Sequence, residues 1–106
     1  MAMRFDETAN RSAVEVPTGE EFDLSLPETQ TAGYRWTLKN SGEPTCRLLR
    51  ESFQPASGKT GGSGTHTWRF RGGASGTCSL ALEYGRNWES NAEPTRTFGM
   101  TVRVQP

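Results

Sequence analysis

Few side chains in this 106-residue chain are equipped for chemistry, and their spacing limits what they can do. His66 is the only histidine and the only conventional general base. It lies in the alternating run "THTWRF", where a side chain packs in a sheet, and neither a Ser/His/Asp arrangement nor a carboxylate pair with a pocket can be assembled around it. Cys46 and Cys78 are the only cysteines, too few for a four-ligand zinc site or a disulfide scaffold. No metal or cofactor is implied, and an enzyme is not expected. What remains is recognition chemistry. "GRNWE" sets Trp88 near Arg86, two residue types enriched at binding hot spots. "GGSG" at 61–64 lets a partner approach the main chain closely. "TQTAG" at 29–33 offers two small hydroxyls and a glycine suited to positive φ. Each has a plainer reading: Trp88 as a core cap continuing the parity of Leu80, Leu82 and Tyr84, "GGSG" as a loop tip, "TQTAG" as a polar turn.

The elements that must hold these segments are strands. Apolar residues make up 32% of the chain and 12 residues are glycine, which suits a thin core with many turns. Period-two alternation recurs and helical periodicity does not. It aligns Val14 and Val16; Phe22, Leu24 and Leu26; Tyr34, Trp36 and Leu38; Trp68 and Phe70; Cys78, Leu80, Leu82 and Tyr84; and Phe98, Met100, Val102 and Val104. "TCRLLRESF" alternates poorly, because Leu48 and Leu49 are adjacent, and reads as a bulged or edge strand. The pattern predicts an all-β fold, an immunoglobulin-like antiparallel β-sandwich of about seven strands. Trp36 falls where such sandwiches often keep a core indole. One domain is expected over residues 1–106, with 1–12 poorly ordered.

In such a sandwich successive connections alternate between the two ends. The connections at 27–33, 54–64 and 85–95 then share one end, with Gly85 ending its strand, and the other three are short. Ordering backbone costs roughly 1–2 kcal/mol per residue. Long loops gathered on one end of a rigid scaffold are a common seat of binding. Twelve basic and twelve acidic residues cancel, and the basic ones are scattered apart from Arg69 and Arg71. Nucleic acid is therefore not an expected partner. No stretch approaches the ~20 apolar residues of a membrane helix.

These three segments resemble the chagasin family of inhibitors of papain-like cysteine proteases. That family carries Asn-Pro-Thr-Thr-Gly-(Tyr/Phe)-x-Trp, Gly-x-Gly-Gly and Arg-Pro-Trp in three loops at one end of an immunoglobulin-like sandwich. The first pattern falls on Thr29, Gln30, Thr31, Ala32, Gly33 and Tyr34, with Trp36 behind it. Thr29, Gln30 and Ala32 stand where the family has Asn, Pro and Thr. The second falls on Gly61, Gly62, Ser63 and Gly64, with Ser63 in place of a glycine. The third falls on Arg86, Asn87 and Trp88, with Asn87 in place of the proline. The resemblance implies a monomeric, reversible, non-covalent inhibitor whose three loops enter the cleft of a papain-like, cathepsin L-type protease. From the residues alone, a binding module for another protein or a glycan using the same loops stays open.

Cys46 and Cys78 begin strands at the end away from the long loops and lie at similar height. A bridge between the sheets is open to them; two buried free thiols are the expectation. The N-terminal "MAMRFDETAN" has no apolar signal-peptide core, so the expected location is cytoplasmic, or exported with a signal already removed.

Overall fold

Among the described residues, alternating side chains build eight strands in two facing sheets. The computed structural model describes residues 3–29, 34–40, 42, 44–55, 63–86 and 96–106. The strands are β1 (Met3–Phe5), β2 (Ala13–Pro17), β3 (Glu21–Thr29), β4 (Tyr34–Asn40), β5 (Cys46–Pro55), β6 (Ser63–Gly72), β7 (Gly76–Arg86) and β8 (Arg96–Gln105). One sheet runs β1-β3-β6-β5 and the other β2-β8-β7-β4. Pairing is antiparallel except at one edge of each sheet, where β1 lies parallel to β3 and β2 parallel to β8.

The inner faces follow the parity of the sequence. Phe22, Leu24, Leu26, Trp68 and Phe70 from the first sheet meet Val16, Trp36, Leu80, Leu82, Phe98, Met100, Val102 and Val104 from the second, and all are buried. Each large side chain removed from water contributes roughly 1.5–3 kcal/mol. Phe22 stacks on Phe70 with ring centroids 5.2 Å apart. The ambiguous segment is both things the sequence allowed: β5 is an edge strand, and its register on β6 slips between Leu48 and Arg50. Leu49 is left over at the bulge and lies exposed.

Two expectations are corrected. Of the segment 1–12, expected to be poorly ordered, residues 3–12 are tied down. Met3–Phe5 adds the eighth strand, Phe5 meets Phe22 edge-on, and Asp6 caps a 3-10 turn over Glu7–Ala9 by accepting from the Thr8 N–H at 3.0 Å. Arg11 N donates to the Gly99 carbonyl at 2.6 Å, and Gly99 N donates to Asn10 Oδ1 at 2.9 Å. A three-residue strand is too short to show a period of two, so its sequence carries no signal. Secondly, Cys46 and Cys78 are not free thiols but a disulfide, with Cα atoms 6.3 Å apart, joining β5 of one sheet to β7 of the other. Gly42 packs on this bridge at φ +80°; a Cβ there would come within 2.6 Å of Cys78 Cβ.

Five of the arginines gather on the outer face of the first sheet. Register sets Arg4, Asp23, Arg69 and Arg50 in one cross-strand row and Glu21, Arg71 and Arg47 in the next. Arg69 grips Asp23 with two bonds, Nε to Oδ1 at 2.7 Å and Nη2 to Oδ2 at 2.9 Å.

Candidate functional site

The stems of the three long connections end side by side. Thr29 pairs with Ser63 and Pro55 with Gly64 in the first sheet; Tyr34 pairs with Arg86 and Tyr84 with Arg96 in the second. Segments 30–33, 56–62 and 87–95 therefore all leave and re-enter the sandwich at one end. The strands run further than the sequence suggested: β3 continues through Thr29, and β7 passes Gly85 to reach Arg86.

Of the expected site residues, Thr29, Tyr34, Ser63, Gly64 and Arg86 are strand residues in these stems. Gln30, Thr31, Ala32, Gly33, Gly61, Gly62, Asn87 and Trp88 lie outside the described residues. Tyr34 is half-buried and stacks on Tyr84, with centroids 5.7 Å apart, and Tyr84 packs in turn against Trp36 at 5.1 Å. Trp36 is buried beneath them, with the Arg96 guanidinium 5.7 Å from its ring. Gly64 has a structural reason to be glycine. A Cβ there would fall on the Gln54 carbonyl oxygen and within 2.7 Å of Phe53 Cζ, because β5 crosses it closely.

A polar cluster at the same end was not anticipated. Glu28, His66 and Glu51 sit on the inner side of the first sheet, on three adjacent strands. His66 Nδ1 is 2.9 Å from Glu28 Oε1, and Nε2 is 2.7 Å from Glu51 Oε2. The imidazole lies flat on Trp68, with centroids 4.0 Å apart and planes 9° from parallel. Glu28 is fully buried and also accepts the Trp36 backbone N–H at 2.7 Å, while Trp36 Nε1 donates to the Pro27 carbonyl at 2.9 Å. β4 is the edge of its sheet, so a main-chain donor turned away from β7 needs another partner. Glu28 supplies it from across the sandwich. A neutral imidazole donates from one nitrogen alone, so making both carboxylate bonds at once takes one further proton, on the ring or on a carboxyl. Among the described residues each imidazole nitrogen has a carboxylate partner, so neither is left open as a base. Parity could have found two of its members, since Glu28 continues Phe22, Leu24 and Leu26, and His66 precedes Trp68 and Phe70. Glu51 was hidden by the bulge, which reverses the parity of β5 beyond Leu48.

Residues 15–102 match the family model described as chagasin family peptidase inhibitor I42. The chain belongs to the chagasin family. Chagasin of Trypanosoma cruzi is 25% identical over 109 residues, covering 98% of this chain and 99% of that protein. Among solved structures, the cysteine protease inhibitor EhICP2 of Entamoeba histolytica superposes with a TM-score of 0.87 at 20% identity, covering 98% of this chain and 96% of its own. Amebosin gives 0.77 at 28% identity, with 99% of both chains covered. PbICP-C, solved in complex with falcipain-2, gives 0.67 at 15% identity, covering 98% of this chain and 100% of its own. The chagasin-family sandwich expected from the three motifs is thus the fold of this chain, and membership makes it an inhibitor rather than an enzyme.

Proposed function

We propose that this chain inhibits papain-like, cathepsin L-type cysteine proteases reversibly, by filling the active-site cleft with the three loops at one end of the sandwich. The observation that carries the reading is the strand register that sets all three motif stems at that end. Family membership and the likeness to chagasin support an inhibitor, and PbICP-C, a protein of the same fold bound to falcipain-2, supports a protease as partner.

The contacting residues in this reading are Thr29, Gln30, Thr31, Ala32, Gly33 and Tyr34 from the first loop, Gly61, Gly62, Ser63 and Gly64 from the second, and Arg86, Asn87 and Trp88 from the third. Hydrolysis needs a carbonyl carbon held against the thiolate and in line with the oxyanion hole. A wedge that occupies the cleft without offering a carbonyl there excludes substrate and is not cut. Thr31 and Ala32 are small enough for a narrow cleft, Trp88 brings apolar area, and the main chain around Gly61 and Gly62 can pair with a cleft wall. Interfaces of this kind bury about 1,600 Å² in total, with most of the energy in a few anchors.

Titration into a papain or cathepsin L assay tests the reading: near-stoichiometric loss of activity is expected, with the inhibitor recovered uncut. Trp88→Ala is expected to weaken inhibition by about 2 kcal/mol or more. A folded Trp88→Ala protein with unchanged inhibition removes Trp88 from the interface, and full protease activity with excess wild-type protein removes the reading itself.

A further inference from the structure

We propose that Glu28 is a positioning residue for inhibition, holding the stem of the first loop to the stem of the second through His66 and Glu51. The proposal rests on the three-loop reading and adds a residue outside the loops.

Glu28 lies two residues before segment 30–33, and Trp36 three residues after it. The Glu28 carboxylate binds the Trp36 main chain, and the Pro27 carbonyl binds the Trp36 indole, so both arms of the first loop are fastened across the gap between the sheets. The same carboxylate oxygen takes His66 Nδ1 on β6, three residues into the strand that follows the second loop. His66 Nε2 reaches Glu51 on β5, the strand that leads into that loop. Glu28 faces the imidazole from β3, Glu51 faces it from β5, and Trp68 supports its plane on β6. One buried carboxylate thus joins four strands at the end from which the loops emerge. Loops fastened at their stems lose less freedom on binding, so the network raises affinity without touching the protease.

Wild-type protein, Glu28→Ala, Glu28→Gln and Glu51→Ala are each confirmed folded by near-ultraviolet circular dichroism. They are then titrated against papain, while exchange of the Trp36 amide hydrogen is followed by NMR. Glu28→Ala is expected to raise Ki about tenfold or more, the scale of losing a buried hydrogen bond to a charged group, and to speed Trp36 exchange. Glu28→Gln keeps an amide oxygen that accepts from Trp36 and is expected to return both readouts to within about threefold of wild type. A folded Glu28→Ala protein that inhibits like wild type overturns the proposal, as does a Glu28→Gln protein no better than Glu28→Ala. Should Glu28→Ala not fold, Glu51→Ala decides, because the Glu51 side chain is 52% exposed and its loss leaves no buried charge of its own. An unchanged Ki with unchanged Trp36 exchange in that variant overturns the bridge. If wild-type protein leaves papain fully active, the protease reading falls instead, and the exchange measurements still judge the bridge.

Discussion

Gly64 belongs to the second signature segment, yet its need for hydrogen in place of a side chain arises inside the molecule. The obstacles to a Cβ include main-chain atoms of Gln54 and Pro55, which cannot swing aside as a side-chain tip would. Gly64→Ala is expected to cost about 1–3 kcal/mol, as overpacking does elsewhere. A lower urea midpoint with an unchanged slope would show it. A midpoint equal to wild type would mean that the β5–β6 stem yields easily. Inhibition should weaken in the same variant, because displacing Gly64 from Pro55 moves both arms of the second loop.

At the scale of elements, the outer face of the first sheet carries its own electrostatics. The Arg69 guanidinium, hydrogen-bonded to Asp23, holds that carboxyl below the ordinary carboxylate range; burial opposes the shift, and the charges of Arg69, Arg4 and Arg50 add to it. The folded value lies below the unfolded one, so the stabilisation is present above the ordinary aspartate value of about 3.9 and is lost as pH falls through the folded value. Asp23→Asn should therefore be less stable than wild type at neutral pH, with the gap closing in acid; denaturant melts across pH check this. Arg50 lies directly opposite Arg69, and like charges so placed oppose pairing. Arg50→Glu is expected to gain about 0.2–1 kcal/mol at low ionic strength. The gain should shrink as salt is added, because exposed charges are screened.

For the whole molecule, the disulfide and the loops divide the sandwich between them. Cys46 and Cys78 sit at the starts of β5 and β7, while the stems of the long connections lie at the ends of those strands. The bridge closes a separation of 32 residues, for which chain entropy predicts about 3–4 kcal/mol. The Cys46→Ser, Cys78→Ser double variant should lose about that much stability in denaturant melts while inhibiting as wild type when folded. Weaker inhibition by a fully folded double variant would mean that the two ends are mechanically coupled.

The sequence alone determined the sandwich, the inward face of each regular strand and the three loop segments in order, because a period of two is a local property read two residues at a time. It placed Trp36 in the core and recognised that β5 was irregular. It also set the height of the two cysteines, but not whether they pair, since that depends on how closely the sheets approach. Only the tertiary structure joined Glu28 to His66 across 38 residues and His66 to Glu51 across 15. Those bonds require one definite register between β3, β6 and β5, and a bulge whose position no alternation announces. The same registers collected scattered arginines into rows and laid Met3–Phe5 along β3. Periodicity specifies which way a side chain points; pairing and packing decide what it meets there.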